Sequence, residues 1–229
     1  SAADGTIAIG YEAGKSITSG ARQTFLGYQA GYSTTTGQEN VFIGYQAGYS
    51  NLDNHANIYI GKQVAYNVAD GSYNVAIGEE AMKSTGTAAN NHPSYNVAVG
   101  NQAGYNLTTG DNNVFLGSRA GYASTTTQGS VAIGYEAGRY LVTAAGQTAV
   151  GYQAAKSMVD GHSNTAFGYQ ALTSEVASDE STAIGYQALT NQSGSTSTLG
   201  NTAVGHLAGR DTTTAYRNTY VGKSAGAGI

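Results

Sequence analysis

The sequence predicts an all-β fold, a parallel β-roll or β-solenoid of about thirteen coils with a 17-residue repeat, and three observations carry this reading. First, thirteen glycines (Gly10, Gly27, Gly44, Gly61, Gly78, Gly100, Gly117, Gly134, Gly151, Gly168, Gly185, Gly205 and Gly222) are separated by 17 residues in ten of their twelve intervals. A fixed short period marks a chain in which each unit packs on its neighbours. Second, the residue three before each glycine is always β-branched (Ile7, Thr24, Val41 through Thr219), and the residue one before is always large and apolar (Ile9, Leu26, Ile43 through Val221). Third, the residue between them is always small or aromatic and never charged.

The strand of each coil follows from the second and third observations. Two apolar positions of the same parity suit a pleated surface, and a charge-free residue between them predicts burial on the second face as well. After the glycine comes a segment such as Gly44-Tyr45-Gln46-Ala47-Gly48, whose fourth residue is Ala in twelve units and Val64 in the other. This segment is read as a second strand, with its alanines facing the aliphatic residues across a thin interior. The glycine forms the corner, where positive φ and close stacking of successive corners exclude a side chain. The remainder, such as Asn67-Val68-Ala69-Asp70-Gly71, carries turn signals and returns the chain to the next coil.

The two long intervals, 22 residues from Gly78 to Gly100 and 20 from Gly185 to Gly205, read as loop insertions near 84–94 and 192–198 within one repeat domain spanning 1–229. Eight units carry Asn four residues before the glycine, and seven carry Gln two residues after it. Stacked in register, both columns are suited to amide ladders.

A thin coil with alanine opposite its aliphatic column buries little, so the second face of the strand needs another layer. Sister copies of the chain supply it most simply. In a homotrimer the small-or-aromatic column would meet itself on the common axis, with Phe25, Phe42, Tyr59, Phe115 and Tyr220 as its aromatic packing residues.

Composition narrows the function. Ten basic and 14 acidic residues give a net charge of −4, with no basic patch dense enough for a nucleic acid backbone. There is no cysteine, hence no disulfide or thiolate metal site. No apolar run approaches the roughly 18 residues of a membrane span, so membrane insertion is not expected. The pattern is already running at both ends, as in a segment of a longer fibre. A composition rich in Thr, Ser, Asn and Gly and poor in charge points to an extracellular or virion-surface location.

The units Asn201-Thr202-Ala203-Val204-Gly205 and Asn74-Val75-Ala76-Ile77-Gly78, with Gly-Tyr-Gln-Ala-Leu at 168–172 and 185–189, resemble the head repeats of trimeric autotransporter adhesins and related phage tail-fibre segments. The resemblance covers essentially the whole chain. It implies a left-handed parallel β-roll of three chains wound together with Val and Ile inside, and a role in a bacterial adhesin or viral tail fibre. The adhesin repeat is shorter, and the extra residues fall in the return loop.

A repeat presents like groups in rows, whereas catalysis needs unlike groups converging in a pocket. His55, His92, His162 and His206 occupy different columns, and no two have metal-ligand spacing. Glu79-Glu80 and Asp179-Glu180 read as solvated surface charge. No enzyme, metal or cofactor is therefore expected. Seven tyrosines directly follow the glycine, and five more (Tyr32, Tyr49, Tyr66, Tyr105 and Tyr122) stand four residues further on. They read as edge packing before they read as a carbohydrate strip. Loops on a rigid scaffold often carry recognition, so Lys83, Asn90, Asn91, His92, Tyr95, Gln192 and Ser195 are the candidate contacts for a host glycan or protein receptor.

The expected function is thus a rigid spacer or host-recognition head in a trimeric surface fibre. One rival is a monomeric β-solenoid binding ice or another ordered surface. Against it, Thr34-Thr35-Thr36 and similar runs do not recur in every coil. The second rival is a polysaccharide-processing β-helix, against which stands the absence of an acidic cluster along a groove.

Overall fold

A computed structural model describes residues 4–193 and 198–228. Each anchor glycine is preceded by a three-residue strand: β1 (Ile7–Ile9), β2 (Thr24–Leu26), β3 (Val41–Ile43), β4 (Ile58–Ile60), β5 (Val75–Ile77), β6 (Val97–Val99), β7 (Val114–Leu116), β8 (Val131–Ile133), β9 (Thr148–Val150), β10 (Thr165–Phe167), β11 (Thr182–Ile184), β12 (Thr202–Val204) and β13 (Thr219–Val221). The thirteen strands form one parallel sheet in chain order, a β-solenoid. Both insertions preserve register, since Val75 pairs with Val97 and Thr182 with Thr202. The chain divides into two compact units, residues 1–115 and 116–229.

The anchor glycines have φ between 119° and 141°. A Cβ on Gly44 would lie 2.3 Å from the carbonyl oxygen of Gly61, and one on Gly168 would lie as close to that of Gly185. Backbone stands on backbone at this corner, so no side chain fits.

The segment after the glycine is not a second strand. The residues two and four places after it adopt left-handed backbone, as in Gln46 (φ 53°), Gly48 (φ 59°), Gln170 (φ 52°) and Leu172 (φ 53°). Local bonds such as Ala30 N–H to Gly27 O tighten it into a run of turns. The intervening alanines do face the interior: Ala30, Ala47, Ala103, Ala137 and Ala188 are fully buried.

The strand faces are the reverse of the expected assignment. The small-or-aromatic column fills the inside of the coil, where Phe25, Phe42, Tyr59, Phe115, Ala76, Ala132 and Ala183 are fully buried on the lone chain. Phe25, Phe42 and Tyr59 stack on one another at 5.1 and 4.9 Å. These rings therefore do not pack on an axis shared with sister chains. Tyr220, in the last coil, is half-buried against Gly209 and Gly226 of its own chain. The physical reason is width: the turns after the glycine cross so close to the strand that only a methyl group or one ring fits between them. The β-branched and aliphatic columns stand outside.

Most coil interiors take about one large side chain, supplied from one of three positions; in the coil of Ala203, Gly209 instead faces Leu189 and Tyr220 of the neighbouring coils. Where the strand carries Phe or Tyr, the residue four after the glycine is small, as in Phe25 with Gly31, Phe42 with Gly48 and Tyr59 with Ala65. The ring lies against that glycine, where an added Cβ would sit 2.7 Å from it. Where the strand carries Ala, the volume comes from Met82, Leu172 or Leu189 at that same position, or from Leu107, Leu141 or Met158 three residues later. All six are fully buried. This is conservation of volume in a close-packed interior.

The asparagine column forms the expected ladder. Asn57, Asn74, Asn96 and Asn113 each donate through Nδ2 to Oδ1 of the asparagine one coil before, at 3.0–3.2 Å. Asn40, Asn57 and Asn96 also donate to the carbonyls of Asn54, Gly71 and Gly110 in the return segment. Each buried amide thus joins strand, return segment and neighbouring coil, and its polar atoms are satisfied.

Candidate functional site

The outer face of the sheet is built from the residues three and one before each anchor glycine. Twenty-six positions contribute to it, and none carries a charge. Several are well exposed, including Ile9 at 59% and Phe167 at 54%, with Leu26, Ile58 and Ile184 also exposed. A lone soluble chain rarely presents a contiguous apolar surface beyond a few hundred Å². In the second unit the column three before the glycine turns to threonine: Thr148, Thr165, Thr182, Thr202 and Thr219 follow Val131 in successive strands.

Around the corner from this face run the tyrosines. In the second unit Tyr135, Tyr152, Tyr169, Tyr186 and His206 stack at 5.1–5.4 Å. In the first, Tyr11, Tyr28 and Tyr45 form a shorter column at 5.3 and 5.2 Å, and Tyr32, Tyr49 and Tyr66 another at 4.9 Å. In such columns each ring face is covered by the next ring. Edges and hydroxyls remain for solvent, which supports packing over sugar stacking along the columns.

The glutamine column is a directional ladder beginning at a carboxylate. Gln29 donates to Glu12, Gln46 to Gln29 and Gln63 to Gln46; Gln102 donates to Glu80; Gln153 donates to Glu136, Gln170 to Gln153 and Gln187 to Gln170, all at 2.9–3.1 Å. Every donor points toward the N-terminus, so a carboxylate at the first rung accepts without leaving an amide N–H that has no rung below it. Each of these glutamates pairs with a cation three residues on: Lys15 at 2.7 Å, Lys83 at 2.6 Å and Arg139 at 2.6 Å. Glu136 is buried and also meets Lys156 at 2.8 Å. Burial alone would raise its carboxyl, but Lys156, Gln153 and Arg139 outweigh that and hold it below the usual range. Glu80 is a ladder terminus and not simple surface charge, and its carboxyl is lowered by Lys83 and Gln102. Glu79 is exposed and pairs with Lys62. The sequence signal was legible as Gly-x-Glu-Ala-x-Lys/Arg at Gly10, Gly78 and Gly134.

The candidate contact residues separate into two groups. Asn90, His92 and Tyr95 are exposed on or beside the insertion, which holds a single 3-10 turn at Ala88–Asn90. The others are scaffolding. Lys83 is half-buried against Glu80 and Gln63, and buried Asn91 donates to the Asn67 carbonyl at 2.9 Å. Gln192 is fully buried among Ser178, Ser181 and Asn201. Ser195 lies outside the described residues. Tyr73, absent from the sequence-based candidates, stacks on Tyr95 at 5.0 Å with an interplanar angle of 5°.

Among the described residues no group of three or more His, Asp or Glu could hold a metal ion, and no helix is long and apolar enough to cross a membrane. No protein-family profile matches the chain. No curated protein and no solved structure matches it either.

Proposed function

We propose that this chain is a non-enzymatic structural and attachment segment of a homotrimeric surface fibre, at an extracellular or virion surface, acting as a rigid spacer or host-recognition head. The observation that carries the reading is the uncharged, mostly apolar outer face, left open on a chain whose own interior is already filled. Two sister chains cover it, related by an axis parallel to the stack, so that like rows meet at the same height. The left-handed winding and the number three come from the resemblance to adhesin heads, and the Val and Ile that the resemblance puts inside are here inside the trimer.

Native mass spectrometry of the intact chain tests this, with three times the chain mass expected. Ile133→Lys should give a folded monomer, because its side chain is on the outer face. Ala132→Lys should unfold the protein, because its methyl is enclosed. A wild-type monomer at tens of micromolar, or an Ile133→Lys trimer, rejects the proposal.

The threonine row of the second unit favours a second reading, a lone solenoid that binds an ordered surface such as ice. Thermal hysteresis from the monomer, abolished by Thr182→Lys, would select it.

A further inference from the structure

The residue five before each anchor glycine forms a surface column in which the backbone is left-handed in every described coil. Gly5, Gly129, Gly146 and Gly200 occupy it without cost in four coils. The other nine carry side chains at the same left-handed φ, Arg22, Glu39 and Arg217 among them, and Tyr73 and Tyr95 (φ 61° and 59°) are the aromatic ones, in two successive coils. Nothing in the coil requires a ring there.

The pair also differs from the other tyrosines in its surroundings. In the coil before Tyr73 the column holds Ala56, and in the coil before that Glu39, as the backbone bonds Tyr73 N–H to His55 O and Ala56 N–H to Gln38 O establish. One face of Tyr73 is covered by Tyr95, and the other looks onto a methyl group. Both rings are more than half exposed, at 54% and 56%. Successive rings in this column are 5.0 Å apart, so the alanine leaves a slot one ring thick between Tyr73 and the coil that carries Glu39.

The slot is apolar on one wall and polar on the other. Arg22 holds Glu39 at 2.9 Å and Gln38 at 3.0 Å on the same surface. His55, half-exposed beside Asp53, stands immediately before Ala56. An aromatic ligand would cover the Glu39 carboxylate without hydrogen bonding to it. A saturated six-membered ring bearing hydroxyls would place its C–H face on Tyr73 and its hydroxyls toward Glu39, Gln38 and His55.

We propose that the slot between Tyr73 and Glu39, floored by Ala56, binds a neutral pyranoside. This deepens the attachment reading and rests on it. The test is saturation-transfer NMR on the intact chain with methyl glucoside, galactoside and mannoside, with p-cresol as aromatic control. Wild type should transfer saturation to the ring protons of at least one pyranoside. Tyr73→Ala should weaken this by about tenfold or more. Ala56→Tyr, which extends the column by one ring, should do the same, and so should Ala56→Arg, a side chain already present in the column at Arg22. Tyr28→Ala, in a covered column, should change nothing.

Absence of transfer to all three pyranosides overturns the proposal, as does transfer that survives Tyr73→Ala and both Ala56 variants. Transfer lost equally in Tyr28→Ala, or confined to p-cresol, also overturns it. Mass measured on the same sample separates the two readings. A monomer that binds rejects the trimer and keeps the slot; a trimer that does not bind rejects only the slot.

Discussion

The two units fill the same narrow coil with different proportions of the same two means. In residues 1–115 the strand itself sends Phe25, Phe42, Tyr59 and Phe115 inward, with small residues such as Gly31 and Gly48 making room for the rings, and only the coils of Ala76 and Ala98 draw on Met82 and Leu107. In residues 116–229, coils 8 to 11 place alanine on the strand and draw their bulk from Leu141, Met158, Leu172 and Leu189 beyond the glycine, and the coil of Ala203 leaves Gly209 facing Leu189 and Tyr220 of the neighbouring coils. The outer faces diverge in parallel, aliphatic at Val41, Ile58, Val75 and Val97 but threonine from Thr148 to Thr219. The cross-section, and not any one position, is what the repeat conserves. A coil accepts bulk from either side of the anchor.

The largest expected effect lies where the units agree. Gly44→Ala in the first and Gly168→Ala in the second both drive a Cβ onto the next glycine's carbonyl, and each should cost on the order of 4 kcal/mol or more in urea unfolding. A tolerated substitution in one unit would show that its corner is looser.

The next test converts one filling scheme into the other. Leu141→Ser should cost about 3–4 kcal/mol through the cavity it leaves, and Ala132→Phe alone should overpack the coil by about 1–3 kcal/mol. Together they recreate the set in the preceding coil, Phe115 with Ser124, and should recover about 2 kcal/mol relative to additivity. Simple additivity would break the volume-exchange argument.

Charge provides a third contrast, because Glu136 is buried among three cations whereas Glu80 in the first unit is better exposed. Glu136→Gln should cost about 1–3 kcal/mol. A carboxyl lowered by folding contributes stability that is fully present above the ordinary glutamate range, near pH 4.3, and is lost as pH falls through its depressed folded value. Thermal melts from pH 7 to pH 3 should show a steeper acid loss in wild type than in Glu136→Gln, and Glu80→Gln should flatten the curve less.

The smallest effect is a gain. Burial pushes the Tyr59 phenol up, and its hydroxyl has no hydrogen-bond partner; Asn74 offsets the shift slightly without reaching bonding geometry. Tyr59→Phe, the residue already present at Phe25, Phe42 and Phe115, should raise stability by about 1 kcal/mol in the same unfolding measurement.

Much of this was readable from the chain. The β-branched and aliphatic columns marked each strand, and the asparagine column announced its ladder, since identical amides at one register stack on one another. The exposed Asn90, His92 and Tyr95 were found because insertions interrupt a uniform surface. Gln192 misled because an insertion residue can turn inward: its amide completes a buried network with Ser178, Ser181 and Asn201. Tyr73 escaped notice because its exposure, its left-handed backbone and the small neighbour at Ala56 exist only once coils are stacked.

By itself the sequence determined the period, the strand positions and the glycine corner, because all three depend on local geometry and on contact with an identical neighbour. Which strand face is enclosed was decided only by the tertiary structure. Alternation distinguishes two faces but carries no sign, and here the turns after the glycine pass so close that methyl groups and single rings go inside while the larger aliphatic columns remain outside.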